Sequence, residues 1–176
     1  MKNPRTLGQR SHRSKFAFTI NLLKPMTALL RTGWKLYAQN KSAFNAAISY
    51  TFANVITGDY PDYGIDPSKV LISRGPLTPA ANATATVADG NIEIIWDDNS
   101  EVNTAKPTDK TLIAILNRSE NGAITDSAGT ERMTGIQTLA LPANWSGDEV
   151  HVYLGFISED GREVANSVYL GSLTIA

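Results

Sequence analysis

Nine cations and no carboxylate occupy residues 1–58: Lys2, Arg5, Arg10, Arg13, Lys15, Lys24, Arg31, Lys35 and Lys41. Lys2, Arg5, Arg10, Arg13 and Lys15 lie close enough together to neutralise phosphates, the chemistry of salt-sensitive, sequence-independent nucleic-acid binding. They have no interleaved aromatic residue for base stacking and no known reader motif. Docking of this segment on an acidic patch, on its own chain or on a neighbouring subunit, is therefore the preferred expectation. The rest of the chain holds all 17 acidic residues, so two parts of opposite sign are joined although the net charge is only −1.

A second group is His151, Tyr153 and Tyr169. Val150, Val152, Leu154 and Phe156 alternate along one strand face, which sends His151 and Tyr153 to the other. With Tyr169 on the same side, the rings could stack on a sugar, so a glycan partner is conceivable. Cover by the N-terminal helices is the stronger reading, because their apolar stripes need a surface to bury.

Other chemistry is thinly represented. Asp59, Asp62 and Asp66 offer carboxylates, but their spacing fits no calcium loop, and aspartates beside prolines are ordinary turn residues. Asp97-Asp98-Asn99-Ser100-Glu101 reads as a solvated loop. There is no cysteine and there are only two histidines, His12 and His151, which excludes thiolate chemistry and leaves a metal site without a ligand set. No nucleophile elbow, Walker motif or dinucleotide glycine motif is present. No cofactor is implied and no enzyme activity is expected.

These residues must be positioned by two kinds of element. Asn3-Pro4 reads as a helix start, followed by a helical pattern to Lys24 with Phe16, Ile20 and Leu23 on one face. A second helix carries Met26, Leu29, Leu30 and Trp34. A third, capped at Asn40 or Ser42, carries Phe44, Ala47, Ile48, Phe52, Val55 and Ile56 and stops at Gly58. The sequence predicts a loop over 59–67 and a short strand over 69–73. Strands are then expected at 84–88, 91–97, 111–117, 123–127, 136–141, 149–158 and 164–175. Asp89-Gly90 and Asp160-Gly161 mark hairpin turns. A one-residue phase change after Gly171 predicts a bulge there.

The start of the chain is not read as an export signal. Asn21 interrupts the apolar run from Phe16 to Leu23, Lys24-Pro25 ends it, and no small-residue cleavage site follows. No stretch approaches the roughly 20 apolar residues of a membrane span. A cytoplasmic or virion-associated location is the expectation.

Two resemblances add to this. Asn91-Ile-Glu-Ile-Ile-Trp-Asp97, with Trp96 inward on the second strand, and Leu139-Ala-Leu-Pro142 leading to the alternating Val150–Phe156 resemble fibronectin type III domains. The tyrosine those domains place at the start of that later strand is here Val150. A wider resemblance rests on Asn3-Pro-Arg-Thr6 with Gln9, Arg13-Ser-Lys-Phe16, Ala43-Phe-Asn-Ala46, Ile56-Thr-Gly-Asp-Tyr-Pro61, Val70-Leu-Ile-Ser-Arg-Gly75, His151-Val-Tyr153 and Asn166-Ser-Val-Tyr-Leu-Gly171. In these the chain is similar to an uncharacterised family of Bacteroidetes proteins. That likeness implies a glycine-rich segment ahead of Asn3, so the chain reads as shortened, and it implies no particular activity.

The expected fold is α+β: a basic helical segment (1–58), a loop, short strand and linker (59–82), and an immunoglobulin- or fibronectin type III-like sandwich of about seven strands (83–176). The expected function is non-enzymatic, that of a structural or protein–protein interaction protein. An assembly component, phage-derived or surface, held by complementary charge is the sharpest form of it. Partners in order of expectation are a protein or a second copy, then nucleic acid, then a glycan.

Overall fold

The computed structural model describes residues 6–176. Three helices lead: α1 (Leu7–Leu23), α2 (Thr27–Gly33) and α3 (Ala43–Asn54). A small hairpin follows, β1 (Ile56–Asp59) with β2 (Asp62–Ile65). Seven further strands make two sheets. One holds β3 (Ala81–Ala88), β4 (Asn91–Asp97) and β7 (Ile136–Ala140), with β4 central. The other has the order β6 (Gly122–Asp126), β5 (Lys110–Asn117), β8 (Glu149–Ile157), β9 (Val168–Thr174). Every pairing is antiparallel. The expected α+β architecture with a seven-stranded immunoglobulin- or fibronectin type III-like sandwich is thus present, three strands facing four.

Local chemistry explains the boundaries. α1 begins at Leu7, where Thr6 and Gln9 form a capping box: the Thr6 hydroxyl accepts from the Gln9 N–H, and the Gln9 side chain accepts from the Thr6 N–H. Asn3-Pro4, read as a helix start, lies outside the described residues. Ser42 caps α3 by accepting from the Asn45 N–H. That helix ends at Asn54 rather than running to Gly58, since Ile56 has already joined a strand opposite Ile65. The expected loop over 59–67 is largely this hairpin, turned through Tyr60-Pro61. The bulge falls where the phase change placed it. Between the pairs His151↔Ser172 and Tyr153↔Tyr169, β9 spends one residue more than β8, and Gly171 takes φ +98°.

Residues 69–73 do not form the expected strand. Lys69 closes a short 3-10 turn, and residues 70–75 then run as a tie between the helices and the sandwich, with Val70, Ile72 and Ser73 buried. Arg74 donates its N–H to the Gly33 carbonyl, Ser167 donates its N–H to the Ser73 carbonyl, and the Ile72 N–H bonds to the Ser167 hydroxyl. Gly33 is required by this approach, because a Cβ there would lie 2.1 Å from the Ile72 carbonyl oxygen.

Two apolar cores result. Between the sheets lie Ile92, Ile94 and Trp96 from one side and Ile113, Ile115, Val152, Leu154 and Phe156 from the other. Between the helices and the outer face of the four-stranded sheet lie Leu23, Met26, Leu29, Leu30 and Trp34 against Leu112, Ala114, Leu116 and Tyr153. β5 and β8 are therefore covered on both faces, and the order of layers is helices, four-stranded sheet, three-stranded sheet. Helices as short as α2 are unstable alone and hold their shape by this packing. Among the described residues no helix is long and apolar enough to cross a membrane.

Candidate functional site

The helical layer turns its cations outward. α1 buries Thr19, Leu22 and Leu23, so the opposite stripe presents Arg10, Arg13, Ala17, Asn21 and Lys24, all exposed. Lys15 lies on the flank and sets its ammonium 4.4 Å from the centre of the Phe52 ring. His12 packs on the same ring at 5.2 Å. With Phe16, Ile48 and Ser49 these two rings border an open cleft of about 270 Å³ between α1 and α3. Phe16 is 43 % exposed there. The approach of Phe52 from α3 to Lys15 and His12 is what the linear order of residues hides. Lys2 and Arg5, also named as candidates, lie outside the described residues.

The contact between the helices and the sandwich is built from apolar side chains, as the expected burial of the helices' apolar stripes requires. Ion pairs such as Lys69–Asp66, Lys110–Glu131 and Arg162–Asp160 join residues within the acidic part. From the helical part, the Lys35 ammonium reaches across to the sandwich and donates to the Gly161 carbonyl at the β8–β9 turn.

The three aromatic candidates on the four-stranded sheet do not make an open surface. Tyr153 is fully buried, donates its hydroxyl to the Pro67 carbonyl at 2.8 Å and stacks on Tyr169 at 5.2 Å. Burial pushes its hydroxyl far above the ordinary tyrosine range. His151 is also buried; Nδ1 shares a 2.9 Å hydrogen bond with the Tyr169 hydroxyl, and Nε2 lies 3.5 Å from Glu149. Its pKa is lowered, chiefly by burial, against the opposing pull of Glu149. Cover by the helices, the stronger of the two readings of this face, is what Tyr153 and Tyr169 meet, since both pack into the core that α1 and α2 share with the sheet. The stacking surface for a sugar is therefore not open.

The acidic loops are organised by their own turns. Asp66 accepts from the Ser68 N–H and hydroxyl, and Asp98 from those of Ser100. Those serine hydroxyls hold both carboxyls below the ordinary range. Among the described residues no three His, Asp or Glu side chains come together as metal ligands.

A feature missed by sequence reasoning closes one end of the sandwich. Arg132 and Asp109 are both fully buried and joined at 3.0 Å. The guanidinium also donates to the Thr78 carbonyl and to the Asn99 side chain, and it lies 3.9 Å from the Phe156 ring centre. The Trp96 indole donates to the Arg132 carbonyl at 2.7 Å. Desolvation lowers the Arg132 pKa while Asp109 opposes the shift. Both residues sit in polar loops whose composition gave no sign of burial. A second such feature is Arg74, whose guanidinium stands 4.7 Å from the ring of Tyr37, 5.6 Å from that of Tyr50 and 5.7 Å from that of Trp34.

The remaining open face is the outer side of the three-stranded sheet. Glu93, Ile95, Asp97, Ile136 and Thr138 point to solvent. Ile95 and Ile136 are cross-strand partners and stand 45 % and 41 % exposed.

These layers define a fibronectin type III-like sandwich with a helical layer over its four-stranded sheet. The chain belongs to DUF6266, a family of unknown function, whose model matches residues 1–171. Among solved structures it is similar to the fibronectin type III domain of the human collagen alpha-1(XX) chain (13 % identity, 57 % of this chain and 86 % of that one, TM-score 0.42). It is also similar to that of human contactin 1 (12 % identity, 59 % and 83 %, TM-score 0.39). No curated protein matches the chain significantly.

Proposed function

We propose that this chain is a non-enzymatic protein–protein interaction and assembly component, and that its basic helical face binds an acidic protein surface. The observation that carries this is the apolar character of the joint between helices and sandwich. Because Leu29, Leu30 and Trp34 meet Leu112 and Leu116 there, the exposed Arg13, Ala17 and Lys24 stripe faces solvent. Charged groups of that kind steer and orient encounters more than they add affinity. A phage-derived or cell-surface assembly fits this reading.

The test is titration of the full chain with poly-glutamate as a generic acidic polypeptide, followed by intrinsic fluorescence. Binding at low salt that weakens on raising the ionic strength, and falls about tenfold in Arg13→Glu/Lys24→Glu, supports the proposal. Binding that ignores both salt and the charge reversals overturns it.

Nucleic acid is a second reading, favoured by the exposed Phe16 beside Lys15, His12 and Phe52. It predicts a gel shift with arbitrary single strands that a Phe16→Ala variant weakens. An unshifted strand at low salt removes this reading.

A further inference from the structure

We infer that the outer face of the three-stranded sheet receives the helical face of a second copy of this chain, so that copies join head to tail. This deepens the proposed function and rests on it, by naming both the partner and the surface on it that the cations meet.

The receiving face has a definite composition. Ile95 and Ile136 stand side by side across the β4–β7 ladder, and Met133, 55 % exposed, lies in the turn just before β7. Glu93 and Asp97 flank Ile95 on the same face of β4. β3, β4 and β7 contain no lysine or arginine. An apolar centre with an acidic rim is therefore built on rigid backbone. The helical layer offers the opposite: a cleft bordered by Phe16 and Phe52, with the Lys15 ammonium over the Phe52 ring and the exposed Arg13 one turn before Phe16 on α1. The apolar side chains of one surface match the cleft of the other, and each carboxylate meets a cation. Like surfaces would instead oppose like charges, which disfavours a two-fold dimer through either face.

Layer order fixes the geometry of assembly. The four-stranded sheet lies between the helices and the receiving sheet, so the two complementary surfaces are on opposite sides of the molecule. A chain cannot satisfy one with the other. A second copy can, and its own free surfaces then accept a third, giving a ring or an open filament.

Sedimentation velocity on the full chain tests this. The wild type is expected to associate as concentration rises at low ionic strength and to dissociate on adding salt. One variant, Ile95→Thr/Ile136→Thr, removes the apolar centre but keeps β-branched residues in the strands. Another, Arg13→Glu/Phe16→Glu, spoils the helical face. Each alone should raise the dissociation constant at least about tenfold while melting as the wild type does. Mixed together they should form a one-to-one pair and nothing larger, since one intact surface remains on each. A monomeric wild type at low salt, or variants that fail to pair when mixed, would overturn the inference. If that monomer still binds poly-glutamate, the proposed function stands without this partner; if it binds neither, both fall.

Discussion

At the scale of single residues, Arg132 is the side chain on which most depends. Its partners come from the segment before β3 and from both ends of the β4–β5 loop, so one guanidinium in the β6–β7 loop holds three loops together at the end of the sandwich. Removing one member of a buried pair leaves an unpaired charge, and Arg132→Ala should cost about 3–5 kcal/mol in urea unfolding. Replacing the pair together, Arg132→Met/Asp109→Leu, should cost clearly less, because no buried charge is then orphaned. His151 supplies the pH dependence. Its folded pKa is depressed by burial, so the neutral form is favoured in the fold. Its stability contribution is present above the unfolded value near 6.5 and is lost as pH falls below it towards the folded value. A His151→Gln variant should flatten thermal stability between neutral and mildly acid pH. Legibility at this scale was uneven. Trp96 was legible as an inward residue, because its position in Ile92, Ile94, Trp96 is set by alternation. Arg132 was not, since nothing in a loop rich in glycine and threonine distinguishes a buried cation from a solvated one. The capping pair Thr6 and Gln9 was written in the sequence with the right spacing, but Asn3-Pro4 offered a competing start.

Among elements, strands were easier to read than the segments that join layers. Alternation placed β3 to β8 to within a few residues, and Gly171 marked its bulge. β9 starts later than expected because Val164 and Ala165 make isolated bridges and Ser167 turns to bond the 70–75 tie. That tie was misread as a strand since Val70-Leu-Ile has strand composition, and composition does not reveal that no strand lies beside it. It passes between α2 and the sheet, with Gly33 on one side and Gly155 facing Ser73 on the other. Gly33→Ala forces the Ile72 carbonyl away and should cost about 1–3 kcal/mol, as overpacking does, measured by chemical denaturation. The signal for the third layer was present in β5, whose Leu112-Ile-Ala-Ile-Leu116 run is apolar at every position. Continuous runs of this kind mark strands covered on both faces.

Across the whole molecule, the helices and the sheet share one core, so they should unfold as one cooperative unit. Far-ultraviolet circular dichroism and the fluorescence of Trp34, Trp96 and Trp145 should then give coincident urea transitions. Two separated transitions would show that the helical layer detaches first. The division of charge along the chain was plain in the sequence, but its consequence was not. Opposite charges and apolar stripes were both open as the means of joining the halves; the joint is made of Leu, Met, Trp and Tyr side chains, and Arg13 and Lys24 stay exposed. A sheet lined on both sides has one more consequence, for biosynthesis. α1 to α3 leave the ribosome before the sheet, yet the strand they chiefly rest on, β5, is translated roughly 60 residues later. At about 5–20 residues per second, the nascent helices wait several seconds with Leu23, Met26, Leu29 and Leu30 uncovered, an interval in which chaperone capture or mispairing between neighbouring nascent chains competes with folding.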